Sequence, residues 1–345
     1  CYKKLNMSKK NSNVNLKNGF TNFKDLSNIF VNFKNKLNKL KKKSYVVGVS
    51  GGPDSLALAA LTKAYNYEKK TKFHYVLINH NIRKNSAQEA IQVKSLLKRH
   101  KIFLNIIANK KVITSNIQSE ARNVRYKILL NYCKKKNIKT ILTGHNLEDQ
   151  VETFFIRLSR GSGLTGLSSM KPLLTLDDKV KLCRPLLDIK KKFLIKISKV
   201  SFGKYFKDPS NFDKKYLRTK IRKLKKPLKL SGIEYEQIIK SINNLASSKL
   251  TLDEYFNKIF RETTKKFNKE IVINLKKFKN LNIEIKIRVL NESIKKLKKN
   301  YYNPRSKKVE NLIRNLNSRN FKKSTLGGCL FIRKEDQLYL KIEKN

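Results

Sequence analysis

The stretch that decides the fold is YVVGVSGGPDSLALAAL, residues 45–61. Its first five residues are rich in β-branched side chains, which favours a strand. Leu56 opens a run of alanines and leucines with strong helix propensity, and the glycines and proline between the two runs mark a turn. The stretch therefore predicts a strand, a glycine-rich loop and a helix in direct succession.

The loop between this strand and this helix has the composition of an anion site. Gly51 and Gly52 leave backbone N–H groups free to approach phosphate oxygens, and Ser50 and Ser55 add hydroxyl donors. The N-terminus of the helix adds positive potential. No lysine follows the second glycine, so the loop does not indicate transfer of a γ-phosphate. Taken alone, a tight turn with glycines that serve only packing explains the loop equally well.

Strand-like and helix-like segments alternate beyond this loop. Strands are predicted at residues 73–79, 102–107 and 140–143, and helices at residues 119–136 and 148–158. Ser86, followed by Glu89, predicts a capping box at the start of a further helix. Because strands alternate with helices, we expect an α/β fold with a doubly wound parallel sheet.

The alternation fades after Leu187, and the chain from about residue 226 is helical, rich in lysine and poor in glycine. Near the end, Gly327 and Gly328 separate apolar runs, which predicts a small hairpin unit. We therefore predict an N-terminal extension with a first helix (1–44), a catalytic domain (45–225) and a helical, basic region that ends in a small α/β unit (226–345). Lysine runs at 41–43, 134–136 and 190–192 are interpreted as solvated helix ends.

The charge balance points to a polyanionic partner. Lys and Arg number 80 against 25 Asp and Glu, a formal net charge of +55, and a positive field of this size attracts phosphates. Nucleic acid fits best, although compositional bias in an AT-rich genome explains part of the lysine excess. The charge supports RNA as the partner without identifying it.

Cysteines and apolar runs bear on the compartment. The four cysteines, Cys1, Cys133, Cys183 and Cys329, lack zinc-ligand spacing and are expected to be reduced thiols. No apolar run is long enough to span a bilayer, so we expect a soluble protein with no membrane partner. Residues 1–44 contain no arginine, which argues against an import peptide.

The string Ser50-Gly51-Gly52-Pro53-Asp54-Ser55 resembles the motif of the PP-loop, or ATP pyrophosphatase, family. Members cleave ATP between the α- and β-phosphates and adenylate a substrate oxygen. The resemblance implies an adenine nucleotide α-hydrolase-like sheet. It also implies that all six residues, together with His145, bind ATP.

Further segments narrow the resemblance to the tRNA(Ile)-lysidine synthetase family. In the family's order, they are NHNIR at 79–83, residues 116–126, TGHNLEDQVET at 143–153, residues 160–170, RPLL at 184–187 and DPSN at 208–211. Together they cover roughly residues 45–227. Two positions depart from the family pattern, because Asn79 replaces an acidic residue and Lys220 replaces an arginine in an Arg-rich string.

This resemblance implies a specific reaction. The side-chain amine of free L-lysine replaces the C2 oxygen of the wobble cytidine in the CAU anticodon of isoleucine tRNA, so that the tRNA reads AUA rather than AUG. ATP, with Mg²⁺, first adenylates the oxygen and releases pyrophosphate, after which lysine expels AMP. One difficult substitution becomes two easier ones.

Three residues are the main candidates for this chemistry. Asp54 is expected to orient ATP and hold its Mg²⁺, or else to act only as a helix N-cap. Asp149 is the candidate for acid–base or positioning work, or else it complements the dipole of the helix that it begins. His145 contacts the nucleotide or packs at the strand end.

The tRNA is expected to contact a set of arginines that also fit a surface-charge interpretation: Arg83, Arg122, Arg125, Arg160, Arg218 and Arg222. Gly161, Gly163 and Gly166 form either a loop that admits the tRNA or a linker between elements. The lysine-rich region after residue 226 is the expected clamp on the tRNA backbone.

Two other functions stay open at this point. A PP-loop tRNA thiolase is one, although no cysteine pair is evident, and a non-catalytic RNA-binding protein with a degenerate ATP loop is the other. The expected compartment is the cytoplasm, with the plastid stroma or mitochondrial matrix as alternatives, and a homodimer is left open.

Overall fold

The computed structural model describes residues 23–83, 85–109, 111, 113, 117–177, 179–207, 215–298, 304, 306–316, 318 and 321–343. Residues 1–22 of the predicted N-terminal extension, Asn116 and the motif at 208–211 lie outside the described residues. The chain divides into two compact units, Cys1–Leu245 and Ala246–Asn345. This division does not test which residues bind nucleotide and which bind RNA, so the three predicted regions stay a prediction.

A six-stranded sheet forms the centre of the first unit. Its strands are β1 (Ser44–Val49), β2 (Lys72–Asn79), β3 (Leu104–Ala108), β4 (Thr140–Leu142), β5 (Leu173–Asp177) and β6 (Val180–Cys183). The spatial order is β3-β2-β1-β4-β6-β5. Every neighbouring pair is parallel except β5 with β6. The predicted parallel sheet is confirmed, and the antiparallel strand at its edge was not predicted.

Helices cover both faces of this sheet. The helices of the first unit are α1 (Lys24–Leu40), α2 (Pro53–Glu68), α3 (Ser86–Lys98), α4 (Ile117–Lys135), α5 (Leu147–Leu158), α6 (Leu164–Leu167), α7 (Lys191–Phe202), α8 (Leu217–Lys223) and α9 (Lys225–Leu230), beside the start of a longer helix described below. Val47 packs with Leu58 of α2 on one face, while Val46 packs with Leu129 of α4 on the other. The alternation of side chains along β1 therefore supplies both cores, and the doubly wound architecture is confirmed.

The capping box predicted at the start of α3 is wrong. Asn85 is the N-cap residue, and no side chain caps the first turn. Glu89 instead accepts hydrogen bonds from Arg83, with Nη1–Oε1 at 3.1 Å and Nη2–Oε2 at 2.9 Å. A guanidinium that binds both carboxylate oxygens is a stronger partner than one backbone N–H.

The second unit contains a separate antiparallel sheet. Its strands are β7 (Thr264–Phe267), β8 (Glu270–Asn274), β9 (Lys323–Leu326), β10 (Cys329–Lys334) and β11 (Gln337–Ile342), in the order β7-β8-β11-β10-β9. Its helices are the end of α10 (Tyr235–Thr263), which begins in the first unit, α11 (Leu275–Lys279), α12 (Ile283–Leu297) and α13 (Ser306–Leu316). The predicted hairpin unit is confirmed and is larger than expected, because Ile271 of β8 pairs with Leu340 of β11. Over the described part of the chain, none of the helices is long and apolar enough to cross a membrane.

Candidate active site

The strand order of the first sheet reverses between β1 and β4. From β1 the chain moves outward through β2 to β3, whereas β4 and β6 lie on the opposite side. In open α/β sheets, ligands bind outside the carboxyl ends of the strands at such a point. The glycine-rich loop follows β1, and residues 143–149 follow β4. The fold therefore brings the two segments with the strongest sequence signals to one crevice.

The loop after β1 has a fixed shape that depends on glycine. Gly51 has a φ of 82°, and a Cβ there would lie 2.6 Å from Cγ2 of Val93. The Ser55 hydroxyl accepts a hydrogen bond from the Ser50 backbone N–H (3.0 Å) and donates one to the Gly52 carbonyl (3.0 Å). Gly52 is the N-cap residue of α2 and Pro53 opens its first turn, so Asp54 lies inside the helix rather than at its cap.

Gly144 allows the backbone after β4 to approach the start of α2 closely. A Cβ at this position would lie 2.7 Å from the backbone oxygen of Asp54 and 2.9 Å from its carbonyl carbon. Only a residue without a side chain permits this approach between two backbones. The contact places Asp54 beside the segment that carries His145, Asn146 and Asp149.

Asp54 is an electrostatically strained carboxylate. Burial raises its pKa to about 6, Asp149 and Glu148 add to the rise, and Lys191 and the Asn146 amide oppose it. Its side chain is 24% exposed, and Oδ2 lies 3.8 Å from the Lys191 ammonium. Among the described residues, Oδ1 is buried without a hydrogen-bond partner. A buried oxygen in this state is suited to accept a cation.

Asp149 forms a capping box with Asn146. The Asn146 side chain accepts from the Asp149 N–H (2.9 Å), and the Asp149 carboxylate accepts from the Asn146 N–H (3.1 Å). This arrangement begins α5 and gives Asp149 a capping role that was not predicted, and the position in the first turn is also compatible with the predicted alternative of complementing the helix dipole. Asp149 also lies close enough to Asp54 to raise the pKa of that carboxyl. The acid–base role of Asp149 stays a prediction.

His145 is held as a neutral imidazole. Its Nδ1 lies 2.9 Å from the Thr143 hydroxyl. Burial lowers the pKa of His145 to about 4; Asp149 opposes this shift, and Arg184, Arg122 and Arg218 reinforce it. A neutral ring with one N–H and one acceptor nitrogen can bind a nucleotide without adding charge to the site.

Two of the predicted tRNA-binding arginines are paired with a buried carboxylate. Glu152 is 3% exposed, and its oxygens accept from Arg222 Nε (2.6 Å) and Nη2 (3.2 Å). Arg218 Nε lies 3.3 Å from Glu152 Oε2. Burial raises the pKa of Glu152, and the hydrogen bond from Arg222 opposes that rise. This cluster joins α5 to α8.

The other predicted arginines have different surroundings. Arg83 is paired with Glu89, and Arg122 lies over the ring of Tyr126 at 5.0 Å. Arg125 and Arg160 are exposed. The six arginines therefore do not form one uniform surface, and their contacts with tRNA stay a prediction.

The glycine-containing segment after α5 is fastened by a residue that the sequence analysis did not single out. Arg157 Nη1 donates to the carbonyls of Gly166 (2.6 Å) and Ser169 (3.0 Å). The Gln150 amide binds both the N–H (2.8 Å) and the carbonyl (3.0 Å) of Met170. These hydrogen bonds hold residues 166–170 against α5, and the segment contains the short helix α6.

A cavity of about 510 Å³ lies beside the crevice. It is lined by side chains of both charges, among them Glu148, Glu152, Lys191, Arg222 and Lys225. Glu148 accepts from the Lys191 backbone N–H (2.8 Å) and from Lys225 Nζ (3.3 Å). The volume falls in the range of about 300–1,000 Å³ that is typical of small-molecule sites.

The lysine run at 190–192 lies at a helix end as predicted, but two of its lysines are ion-paired. Lys190 is paired with Glu236 and Lys191 with Asp54. The run opens α7, and α7 is tied to the phosphate loop because the Ser198 hydroxyl donates to the Pro53 carbonyl (2.5 Å). No local signal in the sequence indicated these pairings, because lysine is common throughout the chain.

Comparisons with known proteins agree with this geometry. The PP-loop domain family matches residues 26–228. A tRNA(Ile)-lysidine synthase of Wolbachia pipientis wMel is 34% identical over 82% of this chain and 67% of its own length. A tRNA(Ile)-lysidine synthase named as chloroplastic, from Gracilaria tenuistipitata var. liui, is 31% identical over 74% of this chain and 80% of its own length.

The match to other relatives is partial. The tRNA(Ile)-lysidine synthase of Orientia tsutsugamushi is 35% identical over 54% of this chain, and the match spans 42% of that protein. Among solved structures, the U34-tRNA thiolase NcsA from Methanococcus maripaludis, with its [4Fe-4S] cluster, has a TM-score of 0.51 and 20% identity. The matched region spans 63% of this chain and 78% of the thiolase chain, and at this identity the likeness shows the fold alone.

Proposed function

We propose, because the chain belongs to the PP-loop family and within it to the tRNA(Ile)-lysidine synthase family, that it ligates free L-lysine to the wobble cytidine of an isoleucine tRNA. The tRNA carries the anticodon CAU, and the product, lysidine, changes its codon reading from AUG to AUA. The reaction uses ATP and has an adenylated cytidine as its intermediate.

The observation that carries this proposal is the meeting of two segments at the switch point of the sheet. The phosphate loop after β1 and the segment from His145 to Asp149 after β4 contact each other through Gly144. A triphosphate held by the first segment would lie beside the groups on the second. The loop lacks the lysine that contacts the terminal phosphates in kinase-like NTPases, which favours adenylation over transfer of a terminal phosphate.

The chemistry divides into two substitutions. The C2 oxygen of cytidine attacks the α-phosphorus, the bond from that phosphorus to the bridging oxygen breaks, and pyrophosphate leaves with the electron pair. The lysine side-chain amine then attacks C2, and the C2–O bond breaks to release AMP. The amine must lose a proton before or during attack, and Asp149 is our candidate for assisting that loss.

The donor set fits a Mg²⁺ ion that is shared with the nucleotide. The buried Oδ1 of Asp54 is unpartnered within the described residues and lies at the phosphate loop. The described part of the chain contains no group of three or more His, Cys, Asp or Glu residues arranged to hold a metal. Phosphate oxygens and water would complete the shell, as is usual for Mg²⁺. When bound, the ion would neutralise charge on the phosphates.

The cavity beside the crevice suits free lysine. A zwitterion with a second amine needs both cationic and anionic partners, and the cavity lining holds both charges as ion pairs, Arg222 with Glu152 and Lys225 with Glu148. Lysine would exchange partners with the more exposed pair, Lys225 with Glu148. The cavity adjoins the crevice because Lys191 belongs to its lining and also pairs with Asp54. We infer that free lysine binds in this cavity before its amine attacks the adenylated cytidine.

A tRNA thiolase is the second candidate, and the described cysteines do not favour it. Cys183 lies in the core on one face of the sheet and Cys133 in the core on the other, whereas Cys329 belongs to the second unit. Burial raises the pKa of Cys133 to about 12 and that of Cys183 to about 11, which disfavours the reactive thiolate.

Localisation and assembly remain proposals. The Gracilaria relative is named as chloroplastic, which supports the plastid stroma as one compartment for this chain, beside the cytoplasm and the mitochondrial matrix. The homodimer stays a prediction.

The test uses radiolabelled L-lysine, ATP, Mg²⁺ and an unmodified isoleucine tRNA with a CAU anticodon. We expect label that stays in the RNA after deacylation, and none with a methionine tRNA of the same anticodon. Pyrophosphate release without lysine label would shift the proposal to thiolation. A lack of both would leave an RNA-binding protein.

A further inference from the structure

Lys191 joins the phosphate loop to the cavity. Its Nζ lies 3.8 Å from Asp54 Oδ2, and the same side chain lines the cavity. Its backbone N–H donates to Glu148 (2.8 Å), and the helix that it begins is tied to the Pro53 carbonyl through Ser198. The base of the Lys191 side chain is therefore fixed relative to the phosphate loop.

The ion pair with Asp54 is a weak contact. The two side chains are 36% and 24% exposed, and pairs of this kind contribute on the order of 0–1 kcal/mol to stability. An ammonium has three N–H donors, and one carboxylate oxygen at 3.8 Å does not satisfy them. Lys191 is thus available for a stronger anion at little cost to the fold.

We propose that Lys191 is a catalytic residue of the adenylation step. Its ammonium leaves Asp54 and binds the phosphates when ATP and Mg²⁺ enter the crevice. The inference rests on the proposed function. A Mg²⁺ ion held by Asp54 would repel the Lys191 ammonium, and a triphosphate bound at the loop would offer it several negative charges in the same crevice. The four-carbon stem allows this change of partner without backbone movement.

The role follows from where charge develops. As the C2 oxygen bonds to the α-phosphorus, the bond to the bridging oxygen breaks and its electron pair moves onto pyrophosphate. A fixed cation next to that oxygen stabilises the leaving group more in the transition state than in the ground state. Pyrophosphate therefore departs faster when Lys191 is present.

Neighbouring lysines do not share this geometry. Lys190 is paired with Glu236, and Lys192 Nζ lies over the ring of Phe193 at 5.0 Å. Lys199, in the last turn of the same helix, is exposed and serves as the control position.

The experiment compares Lys191→Met, Lys191→Arg and Lys199→Met with the wild type. Binding of α,β-methylene-ATP with Mg²⁺ and single-turnover release of pyrophosphate with tRNA are both measured. We expect Lys191→Met to slow release about 100-fold or more, as loss of one transition-state donor does, and to weaken analogue binding at least threefold. Lys191→Arg should recover much of the rate, and Lys199→Met should match the wild type.

The outcomes separate this inference from the proposed function. If the wild type makes lysidine and Lys191→Met equals it in both assays, the inference is wrong and the function stands. If the wild type makes no lysidine but Lys191→Met loses analogue affinity while Lys199→Met does not, the function is wrong and the phosphate contact stands. Equal melting temperatures for the variants establish that folding is not the cause.

Discussion

At the scale of single residues, the ionised carboxylate of Asp54 lowers the free energy of unfolding, and the same carboxylate is needed for the proposed reaction. Its pKa in the folded chain is raised from 3.8 to about 6, so the ionised form carries a penalty there. That penalty is fully present above pH 6, shrinks as the pH falls through the folded pKa and disappears near the unfolded one. We expect Asp54→Asn to gain about 1 to 3 kcal/mol at pH 8 while losing pyrophosphate release.

The measurement is urea unfolding of both proteins at pH 8 and at pH 4.5. The stability gain of Asp54→Asn should be much smaller at the lower pH. A gain of the same size at both values would mean that ionisation of Asp54 is not its cause.

Glu152 is expected to stabilise the fold, because its buried carboxylate accepts from Arg222 and lies beside Arg218. Both arginines are about a third exposed, so loss of the carboxylate leaves no fully buried charge, and the raised pKa of Glu152 offsets part of the loss. Glu152→Gln should therefore lower the unfolding free energy by about 1–3 kcal/mol. Glu68→Gln, which breaks the more exposed pair with Lys34, should cost less than about 1 kcal/mol. Similar losses for the two variants would contradict this account.

The sequence alone predicted the candidate site residues that belong to a local motif. Asp54, His145 and Asp149 stand in recognisable strings within a few residues of the ends of β1 and β4, and the structure brings them to one crevice. Lys191 could not be found this way, because a lysine in a lysine-rich chain carries no local signal. Its meaning depends on the packing of α7 against α2, which is a tertiary contact.

At the scale of elements, the contact between β4 and α2 depends on one missing side chain. A methyl group at Gly144 would lie 2.7 Å from a backbone oxygen, so the two elements would have to separate. We expect Gly144→Ala to destabilise the chain by about 1–3 kcal/mol and to reduce pyrophosphate release. Gly163→Ala is the control for stability, since a Cβ there meets no atom within 4 Å. Equal melting temperatures for the two variants would refute the close approach.

The capping box at α5 offers a second test at this scale. Asn146→Ala removes the cap of α5, the helix that carries Asp149. Asn282→Ala removes the cap of α12, where the Asn282 side chain accepts from the Ile285 N–H at 3.1 Å. Each should cost about 1 kcal/mol in stability. Only Asn146→Ala should slow lysine ligation, because only that cap orients the active site. Equal activity of both variants would mean that the cap has no catalytic consequence.

Elements whose pattern is local were predicted, and those that depend on distant pairing were not. The strands β1 to β4 have continuous apolar runs and were recognised. The hairpin of β5 and β6 has a register irregularity between Thr175 and Asp177, so its alternation is broken. Strand β8 pairs with β11 from far along the chain, and no property of residues 270–274 alone indicates that partner.

At the scale of the whole molecule, the net charge of +55 should make tRNA binding strongly salt-dependent. Each phosphate contact releases counterions, and a protein with six to ten such contacts loses about 10³- to 10⁵-fold in affinity between 50 and 200 mM salt. We expect a loss of at least about 100-fold over this range, measured by filter binding. An affinity that does not change with salt would show that the lysine excess is compositional drift without contact to RNA.

The most direct test of the central claim separates its two steps. The chain is incubated with ATP labelled at the α-phosphate, Mg²⁺ and the CAU isoleucine tRNA, first without lysine and then with unlabelled lysine. We predict that label enters the RNA in the first stage and leaves it as AMP in the second, and that Asp54→Asn blocks the first stage. RNA that never acquires label, or label that lysine does not discharge, would contradict adenylation of the tRNA by this chain as the route to lysidine.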